Sequence, residues 1–495
     1  MKLFNYIERF GNRLPDPATL FLLATIIVIL LSQLAVILDW QIKSDITGNL
    51  EPNSLLSSRG IWWLLSHLVE NFIRFPPLAI VLVGMLGIGL AERTGLLPAL
   101  LRYIISLTPQ SLLTPVTMFL GIMSSMALDA GYVVLPPIAA ALYQAAGRSP
   151  LTGIAVVFAG VSAGFSANLS ITAIDPLLTG FTQAAAEIIA PDYRVAVTAN
   201  WWFMQVSTLV LTLTGWAVTA WIVEPGLAGT PVEKPDAVNT GPRLNEKRAL
   251  CMAGIALLIS VLIVGVLIFV PDAPLFGKGD RFSRWIEVTV PLLFLLFFIP
   301  GLAFGISSGS IKNDRDAARM LGDTMASLGP YIVLAFFAAQ FIEAFKYSGL
   351  GEMLAISGGQ FLASLDIASP LLLTGFILMV IIANLLIGSA SAKYAFMAPV
   401  FVPMLMQVGF SPELTQAAYR VGDSVSNVIT PLNPYMIIIL VLVQRYSRGS
   451  GFGTLIAMML PYAVVFTLVW SALLVGWLLL GFPLGPAGPL VFAQQ

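Results

Sequence analysis

Long apolar runs alternate with short polar segments along the chain, and the length of the runs sets the first expectation. A helix that crosses a membrane needs about 20 consecutive, mostly apolar residues. Runs of that kind fall near 18–38, 72–91, 151–185, 200–223, 249–270, 285–304, 328–346, 413–443 and 454–481. They predict nine transmembrane helices. Two further regions, 109–148 and 369–408, are apolar overall but broken by Ser, Gly, Pro and charged residues. The stretch "SASAKYAFMAP" (389–399) places a lysine and two serines where lipid would favour leucine. Irregular or polar backbone at membrane depth is tolerated only inside protein or around a cavity. Each region therefore predicts a re-entrant helical hairpin that enters and leaves by one face.

Basic loops orient the helices. Lys2, Arg9 and Arg13 precede the first run, and Arg93 and Arg102 follow the second. Arg243, Lys247 and Arg248, then Lys312, Arg315 and Arg319, then Arg445 and Arg448 border later runs. With two hairpins these loops fall on one side, which places the N-terminus in the cytoplasm and the C-terminus in the periplasm. Lys278, Arg281 and Arg284 go against the pattern. The amphipathic N-terminal segment lacks a small-residue cleavage site and is expected to stay uncleaved. The polar stretch 224–248 reads as a cytoplasmic linker between halves.

The two irregular regions resemble each other. "AGYVVLPPIAAALYQAAGRSP" (130–150) matches "AKYAFMAPVFVPMLMQVGFSP" (392–412), pairing Tyr132 with Tyr394, Pro137 with Pro399, Gly147 with Gly409 and Pro150 with Pro412. "GFSANLSITAIDP" (164–176) then parallels "GDSVSNVITPLNP" (422–434) after a small slip in register. Each half reads as hairpin, then Gly-x-Ser-Pro, then a span interrupted by Ser, Asn, Thr and Pro. The hairpins enter from opposite faces, so the repeat is inverted, which is a recurring plan for a transporter's central site. The expected architecture is an all-α polytopic membrane protein, with about nine transmembrane helices and two hairpins. Scaffold helices occupy 1–108, a first repeat core 109–190, further scaffold 191–348, a second core 349–443 and a last scaffold helix 444–495.

Composition agrees. The 495 residues are 58% hydrophobic and 10% charged, with mean hydropathy +0.89 and net charge −1. Soluble domains carry about 25% charged residues. No basic surface points to nucleic acid. A single cysteine, Cys251, and a single histidine, His67, exclude a disulfide framework or a Cys/His zinc site. Cys251 is expected as a small buried hydrophobe, and Trp62, Trp63, Trp201 and Trp202 as interfacial belt residues.

Charge at membrane depth costs about 2.5–3.5 kcal/mol per residue and marks functional candidates. Asp423, in "YRVGDSVSNVITPLNP", leads them. Arg420 precedes it by three, on the same helical face, as expected of an ion pair. Sodium favours hard oxygen ligands, and Asp423, Ser426 and Asn427 with Asn384 of the second hairpin make a candidate set. Asn168, Ser166, Thr172 and Asp175 are the first-half counterpart. A proton carried on Asp423 or Asp175 is the alternative. Ser389, Ser391, Lys393 and Tyr394 stand at one hairpin tip and Ser124, Ser125, Asp129 and Tyr132 at the other. No organic cofactor is implied, and no P-loop suggests a pump. An intramembrane aspartyl protease built on Asp423 and Asp175 is weakened because Arg420 replaces the first glycine of Gly-x-Gly-Asp. A passive channel fits membrane-depth charges less well than coupled transport.

"LDAGYVVLPPIAA", "FAGVSAGFSANLSITAIDPLL", "IGSASAKYAFMAPVFVPM" and "AYRVGDSVSNVITPLNPY" resemble the p-aminobenzoyl-glutamate transporter (AbgT) family, over essentially the whole chain. The resemblance implies a bowl-shaped homodimer in the bacterial inner membrane. It implies nine spanning helices and two hairpins per protomer. It implies transport of aminobenzoyl-glutamate-like folate catabolites, and export of sulfonamides by some members. Implicated residues map onto Asp175, Ser391, Tyr394, Pro412, Arg420, Asp423 and Pro431, and a sodium site onto Asn384 and Asp423. Family members often carry tryptophan where this chain has Tyr394; the aromatic face is kept and a hydroxyl added. A di- or tricarboxylate transporter shares the plan and is the alternative substrate class.

Overall fold

The computed structural model describes residues 15–44, 48–127, 130–227 and 244–492. Asp129, Lys2, Arg9, Arg13 and most of the 224–248 linker lie outside them. Helices dominate; two short strands, Ile42–Ser44 and Gly48–Leu50, pair as a hairpin. The first half contains helices α1 (Pro17–Ile37), α2 (Pro76–Arg93), α3 (Leu96–Ser106), α4 (Leu113–Met123), α5 (Ala130–Ala145), α6 (Pro150–Ala163), α7 (Ile174–Ala186) and α8 (Trp201–Val218). The second half adds α9 (Leu244–Phe269), α10 (Thr289–Ser308), α11 (Asp314–Ser327), α12 (Gly329–Tyr347), α13 (Leu350–Ser364), α14 (Ser369–Leu386), α15 (Ala390–Gln407), α16 (Pro412–Ser426), α17 (Tyr435–Tyr446) and α18 (Phe452–Leu480). Among the described residues, seven helices are long and apolar enough to cross a membrane, or up to nine if each of two bent pairs is one span. Ser369–Leu386 is one of the seven. Its chain reverses at 387–389 into α15, so it is a long hairpin arm.

The repeat is built by local punctuation. Gly147 and Gly409 adopt φ +74° and +89°, the left-handed conformation that glycine reaches without a Cβ clash. Each ends a returning hairpin arm. Arg148 N then donates to Tyr143 O (2.8 Å) and Phe410 N to Leu405 O (3.0 Å), closing the arm in the manner of a Schellman motif. Two residues on, Pro150 and Pro412 start the next helix at a position whose N–H needs no helical partner. Ser411 caps the second by accepting from Leu414 N at 3.0 Å. Gly-x-Ser-Pro is thus a stop–start signal used twice.

The halves also exchange contacts. The post-break helix α7 of the first repeat packs on α15 of the second hairpin, and post-break α17 packs on α5 of the first. Tyr394 of α15 bonds through its hydroxyl to Thr182 of α7 at 2.6 Å, while its counterpart Tyr132 stacks on Tyr435 of α17 at 4.1 Å and 7°. Basic residues between the helices are tied down: Arg93 to Asp323 O and Thr324, Arg102 to Glu246, and Arg148 to Glu224 through two bonds of 2.7 Å. At the far end of α1, Asn53 bonds to Tyr347 O and Ser348 O, and Lys346 reaches Glu187.

Several elements went unanticipated. Helices α3, α11 and α13 are too short or too amphipathic to register as spans. Cys251 is exposed on α9 among apolar neighbours such as Met252 and Ile255, so it lies on an outer apolar face rather than in the core. Trp201 is not simply a belt residue, because its indole N–H donates to Leu169 O inside the first broken helix (2.8 Å).

Candidate functional site: two broken helices and two buried ion pairs

Helix α16 reads as the most polar of the core helices, yet every residue from Pro412 to Ser426 is buried. Buried polar and charged groups must find partners, and α16 finds them in both repeats. Arg420 donates to Asp175 Oδ1 at 2.6 Å and to Ser166 O at 2.7 Å. The other oxygen of Asp175 accepts from Thr172 N (2.7 Å) and Thr172 Oγ1 (2.9 Å). The first break, 164–173, is thereby closed by side chains: Ser166 N donates to Ser424 Oγ at 3.2 Å, and Leu169 O accepts from Trp201 and Gln205. The expected Arg420–Asp423 pair is not made. The spacing rule describes neighbours on an open helix surface. Inside the protein the long arginine reaches across to Asp175.

Asp423 instead pairs with Lys393, Nζ to Oδ1 at 2.5 Å, with 0% and 1% of the two side chains exposed. The Lys393 ammonium also donates to Asn384 Oδ1. Asn384 Nδ2 donates to Asp423 O, Ser426 Oγ and Asn427 Oδ1, each at 2.8 Å. The four residues expected as sodium ligands therefore do converge. Two of their oxygens meet an ammonium and two meet an amide N–H, so the donor set does not fit a free metal ion in this arrangement. The second carboxylate oxygen of Asp423 is buried without a hydrogen-bond partner. The second break, 427–434, is held by Asn433, which donates to Asn427 O at 2.9 Å and accepts from Tyr435 N at 3.0 Å.

The remaining candidates divide. Asn168 donates to Ser125 at the first hairpin tip (2.7 Å) and its Oδ1 is unpartnered. Ser391 lies 3.3 Å from Ser389 at the second tip. Pro431 is in the second break. Pro412 starts α16, about 12 Å from Arg420 by helical rise, and is not brought to the ion pairs. Sequence reasoning missed Thr182, Gln416 and Tyr419. Thr182 Oγ1 bridges Tyr394 OH (2.6 Å) and Gln416 Oε1 (2.7 Å). Tyr419 packs on the Tyr394 ring at 4.2 Å, donates to Ala390 O at 2.6 Å and lies 3.3 Å from Asp423 Oδ1. Glu413, fully buried and bonded by Tyr193 OH at 2.9 Å, was missed too. Polar residues at helical spacing on α16 were the available signal.

Two cavities border the elements that carry this centre. One, of about 740 Å³, is lined by Thr179, Gly180 and Gln183 of α7, by α2, and by loops carrying Glu187, Arg194, Arg281 and Glu287. Backbone N–H groups of Arg281 and Phe282 hold the Glu287 carboxyl below its usual range. The other, of about 480 Å³, is lined by Asp16, Pro17, Gly388, Ser389, Leu432 and Pro434. Thr182 lies on α7 between Thr179 and Gln183 of the first cavity, and Lys393 follows Ser389 of the second on α15. Two interrupted helices, two hairpins and a buried charged centre with cavities beside it have the plan of a membrane transporter.

Comparison with known proteins agrees. The profile of the AbgT putative transporter family matches residues 2–492. The p-aminobenzoyl-glutamate transport protein of Escherichia coli (strain K12) is 33% identical over 492 residues, covering 98% of this chain and 96% of that protein. The YdaH transporter of Alcanivorax borkumensis superposes with a TM-score of 0.92 at 41% identity, covering 95% of this chain and 100% of that one. MtrF of Neisseria gonorrhoeae, from a class of antimetabolite efflux pumps, superposes at 0.91 with 39% identity over 98% of this chain and 100% of that one. The chain belongs to the AbgT transporter family and is a transporter, not an enzyme.

Proposed function

We propose that this protein is a cation-coupled secondary transporter of p-aminobenzoyl-glutamate-like aromatic acids, exporting them or sulfonamide antimetabolites from the cytoplasm. The observation that carries it is α16: one buried helix that holds an ion pair to the first broken-helix region through Arg420 and another to the second hairpin through Asp423, with a cavity beside each repeat. Such a centre alternates access when one cavity opens as the other closes. Arg420 or Lys393 meets a substrate carboxylate when its ion pair opens, and the Tyr394 and Tyr419 rings offer an aromatic face. The relatives that transport p-aminobenzoyl-glutamate or antimetabolites support the substrate class. Sodium and protons are the coupling candidates. The protein is placed in the inner membrane as a homodimer, N-terminus in the cytoplasm and C-terminus in the periplasm. That orientation puts the face holding Arg93, Arg102 and Arg148 inside.

The two aspartates have separate cations, Asp423 with Lys393 and Asp175 with Arg420. Shared-proton protease chemistry needs two carboxyls facing each other, which this arrangement lacks. The test is flux of radiolabelled p-aminobenzoyl-glutamate and of a sulfonamide in proteoliposomes, with sodium and pH gradients imposed separately. Gradient-driven, saturable flux is expected. If neither compound moves under either gradient, the substrate class is wrong and dicarboxylates are next.

A further inference from the structure

Asn384, Asp423, Ser426 and Asn427 form an oxygen-rich cluster with a cation already in it. Lys393 is buried, its ammonium against Asp423 Oδ1 at 2.5 Å and against Asn384 Oδ1. The lysine sits in the first turn of α15. That is the positive end of a helix dipole, where a cation is disfavoured, so the carboxylate and amide oxygens must hold it there. Its four-carbon stem is flexible. The tip that carries it, Gly388–Ser389, borders the 480 Å³ cavity. Asp423 keeps one buried oxygen with no partner, so a lysine fills the cluster without satisfying it.

We propose that the Lys393 ammonium is a tethered internal cation that blocks this cluster to inorganic monovalent cations in the closed state. An ammonium and a sodium ion cannot both sit against Asp423 Oδ1 and Asn384 Oδ1. The cluster becomes a free ion site only when the hairpin tip withdraws the lysine. This deepens the coupling part of the function proposed above, and it is tested without transport so that either can fail alone.

The experiment is equilibrium binding of radioactive sodium to purified protein in nanodiscs, with melting temperature compared in sodium and choline. Wild type, Lys393→Ala, Lys393→Met and Lys393→Arg are measured. Removing the ammonium is expected to create saturable sodium binding at least about tenfold tighter than in wild type. It should also make the melting temperature of Lys393→Ala sodium-dependent. Lys393→Met fills the lysine's volume without charge, and serves if Lys393→Ala does not fold. Lys393→Arg should behave as wild type, and Lys393→Ala/Asp423→Asn should lose the new binding. The proposal is overturned if wild type already binds sodium as tightly as Lys393→Ala. It is equally overturned if folded Lys393→Ala and Lys393→Met both fail to bind sodium.

Discussion

The two breaks in the core helices look alike in sequence and differ in how their charges are satisfied. At the first, Asp175 is fully engaged: one oxygen on Arg420, the other on the Thr172 amide and hydroxyl. Arg420 in turn grips the Ser166 carbonyl. At the second, Asp423 has one oxygen shared between Lys393 and Tyr419, and one without a hydrogen-bond partner. The first is a latch that ties α16 to the opposite repeat. The second is a cation cluster beside a hairpin tip, where the atom left over is a carboxylate oxygen; at the first it is the Arg420 Nε. A buried pair with every oxygen satisfied resists change, and a partly satisfied one stores the capacity to exchange partners.

The harshest way to break this comparison is Arg420→Ala. It leaves Asp175 buried and unpaired, which costs about 3–5 kcal/mol. The expected result is a large fall in melting temperature and no flux. Arg420→Ala/Asp175→Ala should recover part of the stability and none of the transport. Asp423→Asn sharpens the contrast: flux is expected to vanish in proteoliposomes while less stability is lost than with Arg420→Ala. Equal stability losses would make both pairs latches. Trp201→Phe removes one of two donors to Leu169 O at the first break, for about 1 kcal/mol of stability and a modest drop in rate. Tyr394→Phe is the smallest change. It deletes the hydroxyl that bridges to Thr182, keeps the ring, and should shift the ratio of p-aminobenzoyl-glutamate to sulfonamide flux with little effect on melting.

Where the sequence was informative, the signal was local. Apolar length located the spans, and Gly147-x-Ser-Pro and Gly409-x-Ser-Pro marked the joints, because left-handed backbone and proline-started helices are short-range facts. The convergence of Asn384 on Asp423, Ser426 and Asn427 was legible for the same reason: polar residues at membrane depth must meet one another. Partner choice was not. Asp175 is 245 positions from Arg420, and no spacing rule reaches that far. Nor did the charge of Lys393 announce that it would fill the expected metal set. The complete burial of α16 by both repeats is a tertiary outcome. That burial hid the roles of Gln416, Tyr419 and Glu413.

The central claim is that the two cavities open alternately around α16. Cys251 is the chain's single cysteine, so a Cys251→Ser background permits clean labelling. Thr179→Cys reports on the cavity lined by α7 and Ser389→Cys on the cavity at the second hairpin tip. Labelling by a membrane-impermeant maleimide in oriented vesicles is compared with and without p-aminobenzoyl-glutamate. The account predicts reciprocal changes, one site gaining reactivity as the other loses it. Simultaneous gain at both sites would describe a continuous pore and contradict alternating access.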